Sequence, residues 1–237
     1  MANEAIILAG GLGKRLKHLT KKIPKPIVLV RNRPFLVYIL NYLINRGIDK
    51  VILSVGYKGD YIKQYFGDSY KSLRIIYSIE HEPLGTGGAI KKALEHVEND
   101  NVFILNGDSF FEIKLESLSD FHFKNNADLS VALKLMDNDP AYGSVQTDKN
   151  NKITKFWEKG YHDLGYINGG IYVLRKKLFK SLKTEYPFSI EYDVLEKYFE
   201  KYMFYGKPFN EQFIDIGTPK RLAKINSPNG IFLDKYK

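Results

Sequence analysis

The chain alternates between short apolar runs and segments whose apolar residues recur at helical spacing. The apolar runs predict strands over 4–8, 51–55, 74–78 and 102–106. The helical spacing between them predicts helices over 34–46, 60–66 and 87–97. This β-α-β alternation is typical of an α/β fold, in which a mostly parallel, Rossmann-like central sheet is flanked by helices.

After about residue 127 the pattern is richer in adjacent strands. Strands are predicted over 128–135, 143–147, 152–157 and 166–174, and helices over 176–183 and 189–201. We therefore predict a single domain over 1–237, with one half at about 1–126 and the other at about 127–225. About 15 residues follow, so no additional β-helix domain is expected.

Composition fits a folded, globular chain. Hydrophobic residues make up 44% and charged residues 27% of the 237 positions. The formal net charge of +9 suits anionic substrates, and a solvated lysine-rich surface would give it equally well. No zinc-finger spacing or aromatic-basic motif is found, so nucleic acid is not an expected partner.

The chain contains no cysteine, which excludes disulfides, thiolate catalysis and cysteine metal sites. No apolar stretch approaches the roughly 18 residues of a membrane span. The first predicted strand starts too early to leave room for a signal peptide. We therefore expect a cytoplasmic protein that does not bind membranes and that could form a homo-oligomer.

The first strand runs into a glycine loop, Ala9-Gly10-Gly11-Leu12-Gly13-Lys14-Arg15-Leu16. Backbone amides in such a loop converge on phosphate, because no Cβ blocks the approach of the anion. Neither the P-loop spacing nor the dinucleotide-binding spacing is present. Arg15 and Lys25, the latter between Pro24 and Pro26, would add two cations and make a polyphosphate site, although Lys25 alone could be a surface lysine.

Two aspartates follow apolar runs that are far apart in the sequence. Asp108 comes after the run 102–105, and Asp215 comes after Phe213 and Ile214. Mg²⁺ commonly takes one or two carboxylates, with phosphate oxygens and water completing its shell. Carboxylates at such places are also common turn or cap residues, so both interpretations remain open from the residues alone.

The glycine loop and the Pro-Lys-Pro segment resemble the signature of the sugar-1-phosphate nucleotidyltransferases. The likeness continues, in family order, through the segments 80–89, 106–108, 156–159, 168–172 and 215–219. It covers nearly the whole chain, from residue 5 to about 222. Within the family the chain is most similar to the short bacterial heptose 1-phosphate guanylyltransferases.

The resemblance implies an enzyme that joins a nucleoside triphosphate to a sugar 1-phosphate and releases pyrophosphate. The first half would bind the nucleotide and the second half the sugar phosphate. Arg15 and Lys25 would be catalytic, and Asp108 and Asp215 would hold Mg²⁺. The implied nucleotide-binding residues are Leu8, Ala9, Gly10, Gly11, Gly13, Glu80, Pro83, Gly85, Thr86, Gly88 and Asn106. The implied sugar-phosphate-binding residues are Gly143, Glu158, Lys159, Asn168 and Gly169.

One residue favours a particular base. Guanine presents two adjacent donors that a carboxylate such as Glu80 can accept together, whereas uracil and thymine suit an amide better. GTP is therefore favoured, although some uridine-specific relatives also carry an acid. Gly85, Gly87 and Gly88 would let the backbone approach the base and ribose. Gly160 stands directly after Lys159, where relatives usually have proline.

The favoured acceptor is D-glycero-α-D-manno-heptose 1-phosphate, for bacterial capsule or lipopolysaccharide synthesis. The alternatives are mannose 1-phosphate, or a relative that uses UTP, dTTP or CTP. A non-catalytic sugar-nucleotide-binding regulator would be expected to lack Arg15, Lys25 or an aspartate, and all are present. A glycosyltransferase would use an Asp-x-Asp motif, but Asp137-x-Asp139 follows no nucleotide-binding strand pattern.

Overall fold

The computed structural model describes residues 3–11, 13–16, 20–21, 23–136, 143–157, 165–227 and 234–236. The strands are β1 (Glu4–Leu8), β2 (Leu29–Val30), β3 (Arg33–Pro34), β4 (Lys50–Val55), β5 (Ser69–Tyr70), β6 (Leu73–Ile79), β7 (Asn101–Asn106), β8 (Ser109–Phe111), β9 (Leu129–Met136), β10 (Ser144–Thr147), β11 (Ile153–Trp157), β12 (Gly165–Arg175), β13 (Phe204–Phe209) and β14 (Phe213–Asp215). The α-helices are α1 (Phe35–Ile44), α2 (Gly59–Phe66), α3 (Gly85–Ala93), α4 (Leu115–Lys124), α5 (Lys177–Ser181) and α6 (Pro219–Asn226). A π-helical segment spans Ile190–Glu196, and short 3₁₀ turns span Lys14–Leu16, Lys25–Ile27, Leu94–His96 and Asp234–Tyr236.

One large sheet contains strands from both halves of the chain. Its centre is the parallel set β7-β1-β4-β6. Strand β12 pairs antiparallel with β7 and continues the sheet into β10, β9 and their neighbours. The predicted α/β fold with a parallel central sheet is confirmed, and β12 makes the two halves one domain.

Both faces of the central strands are buried, which explains why they read as unbroken apolar runs. Ala5 and Ile7 face one core with α1, while Ile6 faces the opposite core with α3. The neighbouring strands alternate in the same way between the two cores. The sheet is therefore a middle layer between helices, and its loops are the parts left free to bind ligands.

The start of β1 carries a buried carboxylate. Glu4 accepts hydrogen bonds from the backbone of Glu98 and Asn99 and pairs with the ammonium of Lys50 at 2.8 Å. Burial by itself would raise the pKa of Glu4, but the pairing with Lys50 and the backbone donors outweigh it and the pKa is lowered. Strand β1 is thereby held between β4 and the turn before β7.

The predicted strands are confirmed, with ends shifted by at most one residue. The helix predicted over 87–97 begins two residues earlier and ends as a 3₁₀ turn, and the last predicted helix forms as the π-helical segment. Helices α4 and α6 and strand β13 were not predicted. Strand β13 contains Gly206 and Pro208, which the sequence pattern does not favour in a strand. None of the helices among the described residues has the length and apolar character needed to cross a bilayer.

Candidate active site

The carboxyl ends of the central strands meet at one edge of the sheet. Leu8 at the end of β1 lies beside Ser54 of β4 and Asn106 of β7. The backbone amide of Ala9 donates to Ser54 at 2.8 Å, and that of Gly107 donates to Leu8 at 3.0 Å. The glycine loop and Asp108 therefore share this edge, as the sequence predicted.

A cleft of about 530 Å³ follows this edge. Most of the predicted nucleotide-binding residues line it, namely Leu8, Gly10, Gly11, Glu80, Pro83, Gly85, Thr86 and Asn106, together with Asp108. The structure adds residues that sequence reasoning missed, namely Gly56, Tyr57, His81, Glu82, Ala89 and Glu191. Ala9, Gly13 and Gly88 are outside this lining. Ala9 is buried, a Cβ on Gly13 would meet Thr20, and a Cβ on Gly88 would meet Tyr186.

The two predicted metal ligands lie at one end of a pair of strands, Asp215 as the last residue of β14 and Asp108 directly before β8. Asp215 of β14 is opposite Ser109 of β8, and the amide of Ile216 donates to the Asp108 carbonyl at 3.0 Å. The Asp108 side chain is 37% exposed and faces the cleft, whereas Asp215 is 12% exposed. An antiparallel pair thus brings together two carboxylates that are over a hundred residues apart in sequence.

The partners of Asp108 and Asp215 differ. Asp108 forms an ion pair with Lys25. Asp215 accepts from the amide of Gly217 and lies 3.3 Å from the guanidinium of Arg221. Within the described ranges, no group of three or more acidic, histidine or cysteine side chains could hold a metal by itself. Two carboxylates suit Mg²⁺ that takes the rest of its ligands from phosphate and water, and Asp108 is the better placed of the two.

The two predicted cations lie beside these aspartates. Lys25 stands in a 3₁₀ turn between Pro24 and Pro26, and its side chain is only 9% exposed. It is therefore not the surface lysine that remained open from the sequence. Arg15 is exposed, and its Nη2 atom lies 3.3 Å from where a Cβ on Gly217 would be. Arg15, Lys25, Asp108 and Asp215 make a charged cluster beside the cleft, which Asp108 lines.

Glu80 is fixed in the cleft wall at the end of β6. Its Oε1 accepts from the hydroxyl of Ser54 at 3.0 Å, and its Oε2 faces the amide of Leu84 at 3.4 Å. A Cβ on Gly10 would come within 2.7 Å of Oε1. Glycine at position 10 is therefore what lets this carboxylate lie against the loop after β1.

The glycines around the start of α3 lie against the segment 186–190. A Cβ on Gly85 would meet the carbonyl oxygen of Phe188 at 2.3 Å, and one on Gly87 would meet the Phe188 ring at 2.4 Å. A Cβ on Gly88 would meet the ring of Tyr186 at 2.8 Å. These positions admit the segment 186–190 beside the start of α3, so their small size serves packing inside the protein. The approach of base and ribose to this backbone stays a prediction.

The predicted sugar-phosphate residues are described in part. The amide of Asn168 in β12 donates to the Gly143 carbonyl at 3.0 Å, which holds the two residues together. A Cβ on Gly169 would come within 2.5 Å of the Phe111 ring, so a larger residue does not fit there. Glu158, Lys159, Gly160 and the Asp137-x-Asp139 motif lie outside the described residues.

The buried hydroxyl of Tyr172 lies next to Glu191, which lines the cleft. The hydroxyl of Tyr172 accepts from Asn168 Nδ2 at 2.7 Å and faces Glu191 Oε1 at 3.5 Å. Burial raises its pKa well above the ordinary tyrosine value, and the charges of Glu191 and Asp108 act in the same direction. Tyr172 therefore stays a neutral hydrogen-bonding group.

Comparison with known proteins finds relatives that match almost the whole chain. The sequence model of the nucleotidyl transferase family matches residues 4–229. A D-glycero-alpha-D-manno-heptose 1-phosphate guanylyltransferase of Aneurinibacillus thermoaerophilus is 49% identical over 93% of this chain and 96% of its own length. A mannose-1-phosphate guanylyltransferase of Mycobacterium tuberculosis is 34% identical over 93% of this chain, which covers 63% of that protein.

Solved structures show the same fold. HddC from Yersinia pseudotuberculosis, complexed with GMP-PN, superposes with a TM-score of 0.82 at 35% identity, covering 94% of this chain and 97% of that one. A putative glucose-1-phosphate thymidylyltransferase from Bacillus anthracis has a TM-score of 0.85 at 22% identity, covering 98% of each chain. The second likeness speaks to the fold alone.

Proposed function

The chain belongs to the nucleotidyl transferase family, and we propose that it transfers GMP from GTP to D-glycero-α-D-manno-heptose 1-phosphate. The products are GDP-heptose and pyrophosphate. The observation that carries the proposal is the charged cluster that joins, through Asp108, a cleft also lined by Glu80. The relatives named for this reaction match almost the whole chain and favour heptose 1-phosphate as the acceptor.

The reaction brings two anions together, so its catalyst must position them and neutralise charge. An oxygen of the sugar phosphate attacks the α-phosphorus of GTP, and the bond from that phosphorus to the oxygen bridging to the β-phosphate breaks. Pyrophosphate leaves with the negative charge of that oxygen. Arg15 offers a planar fork for two phosphate oxygens and Lys25 a compact positive charge, which suits both to the triphosphate.

Asp108 and Asp215 would hold Mg²⁺, which when bound neutralises phosphate charge. In the protein itself, the Lys25–Asp108 ion pair fixes both side chains beside the glycine loop. Pro24 and Pro26 restrict the backbone on either side of Lys25, so its ammonium is aimed before the substrates arrive. Because these side chains are already in position, less free energy is needed to reorganise the site during the reaction.

We propose that Glu80, which also lines the cleft, reads the base. Its carboxylate already accepts from Ser54, but each carboxylate oxygen has two lone pairs and can accept another donor. Guanine supplies two adjacent donors, whereas uracil and thymine supply one. A site built for hydrogen bonds rejects a base that leaves its buried groups unpaired, which supports GTP as the nucleotide.

A pyrophosphate-release assay tests the proposal. GTP, ATP, UTP, dTTP and CTP are each combined with heptose, mannose and glucose 1-phosphate, with Mg²⁺ and with EDTA. We expect the highest kcat/KM for GTP with heptose 1-phosphate and no turnover in EDTA. A preference for UTP or dTTP would overturn the guanylyltransferase assignment, and full activity in EDTA would overturn the metal assignment.

Mannose 1-phosphate is the second candidate acceptor, because a mannose-1-phosphate guanylyltransferase is also similar to most of this chain. The same assay separates the two acceptors. The proposed product would serve as a heptose donor for bacterial capsule or lipopolysaccharide synthesis, with the enzyme acting in the cytoplasm. Loss of heptose from the surface polysaccharide of a deletion strain would test that role.

A further inference from the structure

A carboxylate that belongs to none of the family-like motifs lines the cleft. Glu191 lies in the π-helical segment Ile190–Glu196, late in the chain, and faces the same cavity as Thr86 and Asp108. π-Helical turns are rare and occur often at functional sites. The side chain is partly buried, so its charge must have a partner in the protein or in a ligand.

The protein satisfies one oxygen of this carboxylate better than the other. Oε2 accepts from the hydroxyl of Thr86 at 2.7 Å and from that of Ser189 at 2.8 Å. Among the described residues, Oε1 has one hydrogen-bond contact, and it is long, 3.5 Å to the hydroxyl of Tyr172. The side chain is therefore held in place through Oε2, while Oε1 keeps room for a stronger donor.

The charge of Glu191 limits what that donor can be. Among the described residues, no lysine or arginine nitrogen pairs with Glu191 within 4.0 Å. A carboxylate without a cation repels phosphate, so it does not suit the triphosphate or the phosphate of the acceptor. Hydroxyl groups donate to carboxylates in strong, charge-assisted hydrogen bonds. A sugar hydroxyl is thus the substrate group that fits Oε1.

Two sugars are present in the reaction, the ribose of the nucleotide and the ring of the acceptor. Oε1 faces Tyr172, whose hydroxyl accepts from Asn168, and Asn168 is joined to Gly143 by a backbone hydrogen bond. Asn168 and Gly143 belong to the half proposed to bind the sugar phosphate. Oε2, in contrast, is taken up by Thr86 on the nucleotide side. The available oxygen is therefore on the acceptor side.

We propose that Glu191 determines acceptor specificity, its Oε1 accepting a hydrogen bond from a ring hydroxyl of the sugar 1-phosphate. The assignment of the acceptor as a sugar 1-phosphate rests on the proposed function. Thr86, Ser189 and Tyr172 are positioning residues that hold the carboxylate. The chain therefore reads the base with Glu80 at one side of the cleft and a sugar hydroxyl with Glu191 at another.

Steady-state kinetics of Glu191→Gln test the proposal. Analogues of the acceptor, each lacking one ring hydroxyl, are compared with the full acceptor in wild type and variant. We expect KM for the full acceptor to rise by roughly ten- to hundredfold, the range for a hydrogen bond to a charged group. The KM for GTP should stay within about twofold. For the analogue that lacks the hydroxyl bound by Glu191, wild type and Glu191→Gln should have the same KM.

Glu200→Gln is the matched control, because Glu200 is exposed and is not part of the cleft lining. It should leave both KM values unchanged. The ratio of KM values for analogue and full acceptor within one protein does not depend on how much of that protein is folded. A purely structural role of Glu191 would therefore leave that ratio as it is in wild type for every analogue.

If the ratio of KM values for analogue and full acceptor is the same in Glu191→Gln as in wild type for every analogue, the assignment of Glu191 is overturned. A rise in KM for GTP that disappears with 2′-deoxy- or 3′-deoxy-GTP would also overturn it, since the contact would then be to ribose. If the wild type rejects heptose 1-phosphate, the proposed acceptor is wrong. Glu191 is then tested in the same way with analogues of the sugar 1-phosphate that the wild type accepts.

Discussion

Asp108 and Asp215 show how neighbouring groups decide what the same side chain can do. The Asp108 carboxylate faces the cleft and pairs with Lys25, whereas Asp215 is mostly buried and has Arg221 and the amide of Gly217 as partners. A carboxylate at the cleft can reach substrate and metal directly. Asp215, which is bonded within the protein, also holds the loop around Gly217, and this loop lies beside Arg15.

The exchange of Asp108 for asparagine tests the first of these roles. Asp108→Asn keeps the shape of the side chain and removes its charge, so we expect turnover at saturating Mg²⁺ to fall by at least about 10²-fold. Asp120→Asn, an exposed position of α4 outside the cleft lining, is the control and should retain wild-type turnover. Near-normal turnover of Asp108→Asn would show that the charge of Asp108 is not needed for the reaction.

At the scale of elements, the first turn of α3 is supported by a segment about a hundred residues later in the chain. The amides of Gly87 and Gly88 donate to the carbonyl of Phe188 at 2.9 and 3.2 Å, and the amide of Phe188 donates to Leu84 at 3.0 Å. The amide of Ile190 donates to the hydroxyl of Thr86 at 3.0 Å. One wall of the cleft is therefore shaped by residues 188–190, which the signature motifs do not include.

An alanine at Gly87 should disturb this support. Its Cβ would come within 2.4 Å of the Phe188 ring, so we expect Gly87→Ala to lower the free energy of unfolding by about 1–3 kcal/mol, as overpacking does. The KM for GTP should rise because the loop lines the cleft. Denaturant unfolding and nucleotide kinetics measure the two effects.

Gly11 provides the matched control. A Cβ there would meet no protein atom within 4 Å, so Gly11→Ala should unfold like the wild type. If the phosphates approach the backbone at Gly11, its KM for GTP should nevertheless rise. Wild-type stability of Gly87→Ala would show that the segment around Phe188 moves aside without cost.

At the scale of the whole molecule, a buried histidine links helix α4 to strands on both sides of β12. His122 Nδ1 is 3.0 Å from the hydroxyl of Ser130 in β9, and Nε2 is 3.1 Å from the side-chain oxygen of Asn101 in β7. Burial lowers the pKa of His122 to about 4; Arg175 adds to this and Asp128 opposes it. The imidazole is therefore neutral in the folded protein at neutral pH.

Because the buried His122 is neutral in the folded protein, the free energy of unfolding depends on pH. Between about pH 6.5 and 4 the unfolded chain binds a proton at His122 that the folded chain does not, so stability falls as the pH falls. The loss should amount to about 2–3 kcal/mol across that window, at roughly 1.4 kcal/mol for each pH unit of difference. Denaturant unfolding at several pH values measures it.

His122→Asn should reduce the steepness of this pH dependence, whatever its effect on stability at neutral pH. His96→Asn is the control, because His96 is exposed and its replacement should leave the pH dependence as in the wild type. The assignment fails if His122→Asn keeps the full loss of stability between pH 6.5 and 4.

The sequence by itself determined the central strands and the edge at which the site lies. Strand β1 and its parallel neighbours are buried on both faces, so their apolar runs carry a strong local signal. Because parallel strands end at the same edge, the order of strands and loops along the chain was enough to place the glycine loop and Asp108 together. The Arg15, Lys25 and Asp215 positions followed from the family-like motifs, and the structure brings them together with Asp108 beside the cleft.

Only the tertiary structure decided what completes the cleft. Thr86 and Glu191 are 105 residues apart, and no periodicity or spacing relates them, since their contact depends on how β12 and the segment after it fold back on the sheet. For the same reason the sequence could not show that Gly85 and Gly87 make room for Phe188. Local patterns report burial along one element, whereas contacts between distant elements follow from the packing of the whole chain.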